Sequence, residues 1–95
     1  MDVAVIPLGA DLQEPARRVA HRLRLGGHRT STSLEGRRLG KEISRADKAG
    51  ARVVVIVGPD DWSRREVAVR ELRTGNQQTV HVDGVADAVG AILSG

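Results

Sequence analysis

The 95-residue chain predicts a three-layer α/β domain on a mixed five-stranded sheet, with three helices in the order β-α-β-α-β-β-β-α. Three observations predict it. Residues 51–57 (ARVVVIV) are continuously apolar after Arg52, the pattern of a strand covered on both faces as in a parallel sheet. Two helical segments precede that run, each stopped by glycine, so the first three strands are joined by two right-handed crossovers. Two further strand segments follow it, joined through Thr74-Gly75-Asn76, a tight-turn composition. Two crossovers followed by a hairpin make a three-layer mixed sheet the economical arrangement.

Taken in order, residues 3–8 form a short apolar run ended by Pro7 and Gly9, a buried first strand. Asp11 starts a helix, with Glu14 three positions on as in a capping box, Pro15 in the tolerant first turn, and Leu12, Ala16, Val19, Ala20 and Leu23 as its apolar stripe. Gly26-Gly27 stops it. Residues 28–34, rich in Ser and Thr and weakly alternating, predict a strand near an edge. A second helix over 38–49 ends at Gly50, which supplies the left-handed cap that a β-branched residue could not. After strand 51–57 the chain breaks at Gly58-Pro59-Asp60-Asp61. Strands 66–72 and 77–82 follow, and Asp83 caps a last helix with Val85, Ala88, Val89, Ile92 and Leu93 on one face.

Composition narrows the function classes. The length fits one small domain, residues 1–95, able to bury roughly 60% of its unfolded surface. Phe and Tyr are absent and Trp62 is the only aromatic residue, so the core is Val, Ile, Leu and Ala. Without cysteine there are no disulfides, thiolate zinc sites or thiol nucleophiles, and a cytoplasmic setting follows. No window approaches 18 apolar residues and no signal-peptide pattern precedes the first strand, so neither export nor membrane spanning is expected. The net charge is +3, with thirteen arginines against two lysines. Arginine suits phosphate and base edges through its planar fork, although a GC-rich coding sequence produces the same bias. Placement decides between them.

In open α/β sheets ligands gather beyond the carboxyl ends of the parallel strands, here the loops 8–12, 34–38 and 58–65. The second helix supplies charge beside them. At 100° per residue, with Arg38 at zero, Leu39, Ile43 and Ala46 fall at about 100°, 140° and 80°, while Lys41, Arg45 and Lys48 fall at about 300°, 340° and 280°. The basic stripe therefore opposes the apolar one, and Glu42 lies at the apolar flank. Such a helix can pack on the sheet while presenting Arg38, Lys41, Arg45 and Lys48, with Arg37 just before them, to a phosphate backbone. An ordinary solvated face has the same pattern.

From Gly36 to Gln78 the chain reads GRRLGKEISRADKAGARVVVIVGPDDWSRREVAVRELRTGNQQ. The order of basic helix, Ala46-Asp47-Lys48-Ala49-Gly50, buried strand and polar hairpin resembles the C-terminal anticodon-binding domain of class IIa aminoacyl-tRNA synthetases, closest to the histidyl enzyme. The resemblance implies a five-stranded fold that binds the anticodon stem-loop of a tRNA, tRNA-His above others, and a catalytic domain elsewhere in the parent chain. It aligns Asp61 with an acidic anticodon-contacting position and Arg70 with a strand arginine that touches the anticodon. A carboxylate accepts from an exocyclic amino group, and an arginine forks onto a base edge. Each could equally be a surface ion pair. Asp47 reads as helix-end packing or as an RNA contact. Two departures stand out. Arg64-Arg65 replaces a small residue, often glycine, and Trp62 replaces an aliphatic one; Trp62 either stacks on a splayed base or lids the core. The chain begins almost at its first strand and ends just after its last helix, as an excised domain does.

Other chemistries find no support. His21, His28 and His81 fall on separate elements without metal-ligand spacing, and there is no GxxxxGKS or GxGxxG phosphate loop. Ser31, Ser33, Ser44 and Ser63 lack a nucleophile-elbow setting. No catalytic residue, cofactor or metal is expected of the chain by itself. Two other classes remain, a free-standing paralogue acting as a regulatory or subunit-docking module, and a small nucleotide-binding enzyme. Salt-dependent tRNA binding separates the first, and a nucleotide-induced melting shift the second.

Overall fold

Val53–Val57 is apolar on both faces because it becomes the middle strand, and every residue of it is buried. The computed structural model, which describes residues 1–33 and 38–95, arranges five strands in the order β2-β1-β3-β4-β5. These are β1 (Val3–Pro7), β2 (Thr30–Thr32), β3 (Val53–Val57), β4 (Glu66–Glu71) and β5 (Gln77–His81). The first three run parallel and the last two add antiparallel. Helices α1 (Gln13–Leu25) and α4 (Val85–Ser94) pack on one face, and α2 (Leu39–Lys48) on the other. The three-layer mixed sheet is thus as the sequence predicts.

Alternation along the strands sorts the core into two layers. Val3, Val5, Val53, Val55, Val57, Val67 and Val69 meet Ala16, Val19, Ala20 and Leu23 of α1 and Val85 and Val89 of α4. On the other side, Ala4, Ile6, Val54, Ile56 and Ala68 meet Ala46, with Leu39 and Ile43 partly buried beside them. The first layer is mostly valine and is covered by two helices, α1 and α4. The second is shallower, and α2 packs over β1.

Four expectations need correction. No capping box forms at Asp11: residues Ala10–Leu12 make a 3-10 turn, Leu12 is the cap residue of α1, and no side chain bonds there. That turn tucks Leu12 into the core, while the Asp11 carboxylate folds back over Gly9, where a Cβ would lie 2.9 Å from Oδ1. Glu14 pairs instead with Arg17 and Arg18 on the next turn. Nor does Asp83 cap α4: the His81 ring Nδ1 accepts from the Asp83 backbone N–H at 3.1 Å, starting a 3-10 turn before the helix. The Asp83 carboxylate reaches Arg22 on α1 at 3.0 Å. A fourth helix, α3 (Pro59–Ser63), occupies what the sequence marks only as a break; Pro59 at its first position and Asp60 and Asp61 in its first turn favour a helix start. Strand β2 is shorter than predicted, and its expected end at Leu34 lies outside the described residues.

The glycine predictions have a clear physical basis in the structure. After α2, Gly50 adopts φ 92°, its N–H donates to the Asp47 carbonyl, and the Ala51 N–H returns to the Ala46 carbonyl at 2.9 Å. That double bond closes the helix end and brings Ala51 against Ala46. Asp47 therefore contributes its backbone carbonyl, and its side chain is exposed. Gly27 at φ 90° ends α1 in the same way.

Candidate nucleic-acid interface

The apolar stripe of α2 dictates which way its cations point. With Ala46 buried and Leu39 and Ile43 half-buried against the sheet, Arg38, Lys41, Arg45 and Lys48 are all exposed on the outer surface. None of the four forms an ion pair among the described residues. The arginines of α1 are placed differently. Arg17 and Arg18 share Glu14 at 3.8 and 3.5 Å, Arg22 holds Asp83, and Arg24 donates to the Thr30 carbonyl at 3.0 Å. The α2 cations have no carboxylate beside them among the described residues, whereas those of α1 are partly balanced by Glu14 and Asp83. Arg37 lies outside the described residues.

Arg70 sits on the same side of the sheet as α2. It pairs with Val54 on β3 and with Gln77 on β5, and alternation puts Glu66, Ala68 and Arg70 on the face that carries Val54 and Ala46. Its side chain is half-buried, and its Nε is buried with no hydrogen-bond partner among the described residues. A buried guanidinium N–H without an acceptor is costly. Beside it on edge strand β5, Gln77 and Thr79 are exposed on the same face, an amide and a hydroxyl. Sequence reasoning passed over both. Gln77 stands opposite Arg70 and Thr79 opposite Ala68, a relation that becomes legible only once the hairpin register is known.

Asp61 lies in α3, beyond the carboxyl end of β3, where the open-sheet rule places ligands. One oxygen accepts from Arg64 Nη2 at 3.2 Å, and Arg64 Nε donates to Glu66 Oε1 at 3.0 Å. The hydrogen bond to Glu66, with the charges of Glu66, Asp61 and Asp60, holds the Arg64 guanidinium above its ordinary range. Glu66 shares the face of Arg70, so this acid–base–acid chain borders the same surface. Arg64 was legible only as a departure; its spacing from Asp61 becomes a helical neighbour relation once α3 exists.

Trp62 lies elsewhere. It packs against the α1–α4 layer, and the Arg65 guanidinium stands 4.9 Å from its ring centroid. The geometry favours the lid over the stacking platform, since one ring face meets a cation and the body meets the core. Arg65 has φ 56°, a left-handed conformation that glycine adopts freely. Its N–H donates to the Trp62 carbonyl and its carbonyl accepts from Val82, which holds the hinge into β4. Here the departure from a small residue has a visible cost and a visible counterweight, strain against stacking.

Among the described residues no His, Asp or Glu group is placed to hold a metal, and no helix is long and apolar enough to cross a membrane. His28 is structural, its Nε2 bonding the Ala86 carbonyl of α4 at 3.0 Å.

Comparison with known proteins agrees with this fold. Residues 2–92 match the family model described as the anticodon binding domain. Over 93 residues, 98% of this chain, it is 41% identical to the histidine–tRNA ligase of Pyrococcus abyssi, and over the same length 32% identical to that of Rhodococcus erythropolis. A histidyl-tRNA synthetase structure from Nostoc superposes over 97% of the chain with TM-score 0.93 at 30% identity. The RNA-binding domain of threonyl-tRNA synthetase from Cryptosporidium parvum, at 16% identity and TM-score 0.85, shares the fold. The chain spans about a fifth of the length of these ligases, 21% of the Pyrococcus abyssi protein. By the family match across nearly its whole length, this chain belongs to the anticodon-binding domain family, in the form carried by histidyl-tRNA synthetases.

Proposed function

We propose that the face formed by α2, β4 and β5 binds the anticodon stem-loop of a tRNA, tRNA-His by family, as part of a cytoplasmic histidyl-tRNA synthetase whose catalysis resides in another domain. The observation that carries this reading is the row of exposed α2 cations, Arg38, Lys41, Arg45 and Lys48, without ion pairs among the described residues and on the same side of the sheet as Arg70. In it, the α2 cations, with Arg37 before them, position the RNA backbone, while Arg70 and Asp61 contact bases. Asp61 keeps one carboxylate oxygen outside its bond to Arg64, so it can accept from a base while Arg64 holds its orientation. Trp62 enters as the lid that sets the height of α3 and through it the place of Asp61.

Titration of the chain with an anticodon stem-loop at several salt concentrations tests the reading. With about three to five phosphates neutralised, log K falls against log salt with a slope of about −2 to −4, and affinity is at best micromolar. A salt-independent affinity removes RNA as the partner and favours a regulatory or docking module.

A further inference from the structure

We propose that the groove between the outer face of α1 and the Trp62–Arg65 hinge, on the side of the sheet opposite α2, is a docking site for an acidic protein segment that carries an aliphatic side chain. The groove is shallow and open to solvent, with a volume of about 870 Å³. Along its α1 wall, Arg18, His21, Arg22 and Leu25 follow the i, i+3, i+4, i+7 spacing that puts side chains on one helix face, over about 10 Å. All four are exposed, and Leu25, at 75%, is the most exposed large apolar side chain among the described residues. Trp62 and Arg65 form the opposite wall.

Charge identifies the occupant. The lining holds four arginines, Arg17, Arg18, Arg22 and Arg65, against two carboxylates, Glu14 and Asp83. Glu14 is shared by two arginines, and Arg65 has the Trp62 ring as its partner, so two positive charges lack a carboxylate. An apolar site at Leu25, one end of a cationic stripe, matches a segment with acids on one turn and an aliphatic residue on the next. RNA matches poorly. Trp62 has Arg65 over its ring and the core against its body, which leaves no platform for a base.

Trp62 is the only tryptophan and tyrosine is absent, so its fluorescence reports on this groove without a label. The probe is a synthetic amphipathic helix with Glu at two positions four apart and Leu three residues further on, compared with versions bearing Lys for Glu or Ser for Leu. Saturable change in Trp62 emission is expected with the first peptide and none with the Lys version. Binding should weaken roughly tenfold when either the peptide Leu or Leu25 becomes serine. Arg18→Ala with Arg22→Ala should weaken it as well, whereas Lys41→Ala with Arg45→Ala should leave it unchanged. No saturable change with the acidic peptide overturns the proposal, as does displacement of that peptide by an anticodon stem-loop, which would make the groove a nucleic-acid surface. Since the α2 variants bear only on RNA binding, failure here and failure of the RNA reading are separate outcomes.

Discussion

Arg70 stands directly across the β3–β4 ladder from Val54, a guanidinium-bearing side chain opposite a fully buried aliphatic one. The arginine stem can lie along apolar sheet, Nε included, which is how a long cation is half-buried without a partner carboxylate among the described residues.

Arg70→Ala and Asp61→Ala are each expected to cost about 1 to 3 kcal/mol on a histidine anticodon loop, GUG by family resemblance, and much less on a scrambled loop of equal length. Paired titrations of both loops against wild type and variants, with circular dichroism for folding, give the comparison. Equal losses on both loops would reduce the two residues to backbone contacts.

Lys41→Ala combined with Arg45→Ala should weaken binding to every RNA about equally and reduce the salt slope by roughly 2, because phosphates carry charge without sequence. Thermal stability should stay within about 0.5 kcal/mol, since both residues are exposed opposite the apolar stripe. A large drop in melting temperature would mean that the stripe supports the fold.

Val55 lies at the middle of the central strand, inside the layer covered by α1 and α4. Val55→Ala should destabilise the chain by about 2 kcal/mol, lowering the melting temperature by about 10 °C. Urea denaturation measures it directly. A change under about 0.5 kcal/mol would show that the α1–α4 layer is loosely packed.

Arg65 combines left-handed strain with a ring contact, and two substitutions separate them. Arg65→Ala keeps the strain and loses the stacking; Arg65→Gly loses both. The glycine variant should therefore be more stable than the alanine variant by about 1 kcal/mol, as melting curves of the two would show. Equal stability would mean that the hinge relaxes out of the left-handed region on substitution.

The sequence by itself determined what depends on a short window of chain. The apolar run before Gly58 could only be a doubly covered strand, Gly50 had to close α2, and the 100° spacing put Lys41 and Arg45 opposite Ile43. Each follows from backbone sterics or periodicity, which act over a few residues. Tertiary structure decided whatever required distant segments to meet. Asp83 offers the same carboxylate as a helix cap or an ion-pair partner, and only the packing of α4 beside α1 brings Arg22 within 3.0 Å of it. Asp11 and Glu14 have the spacing of a capping box, yet the 3-10 turn that buries Leu12 overrides it, because an apolar side chain gains more from the core than a carboxylate gains from one exposed N–H. Whether Trp62 faces α1 or α2, and whether Gln77 and Thr79 share a surface with Arg70, depends on strand order and hairpin register. A one-residue slip would exchange the faces, and the buried side of β4 excludes it.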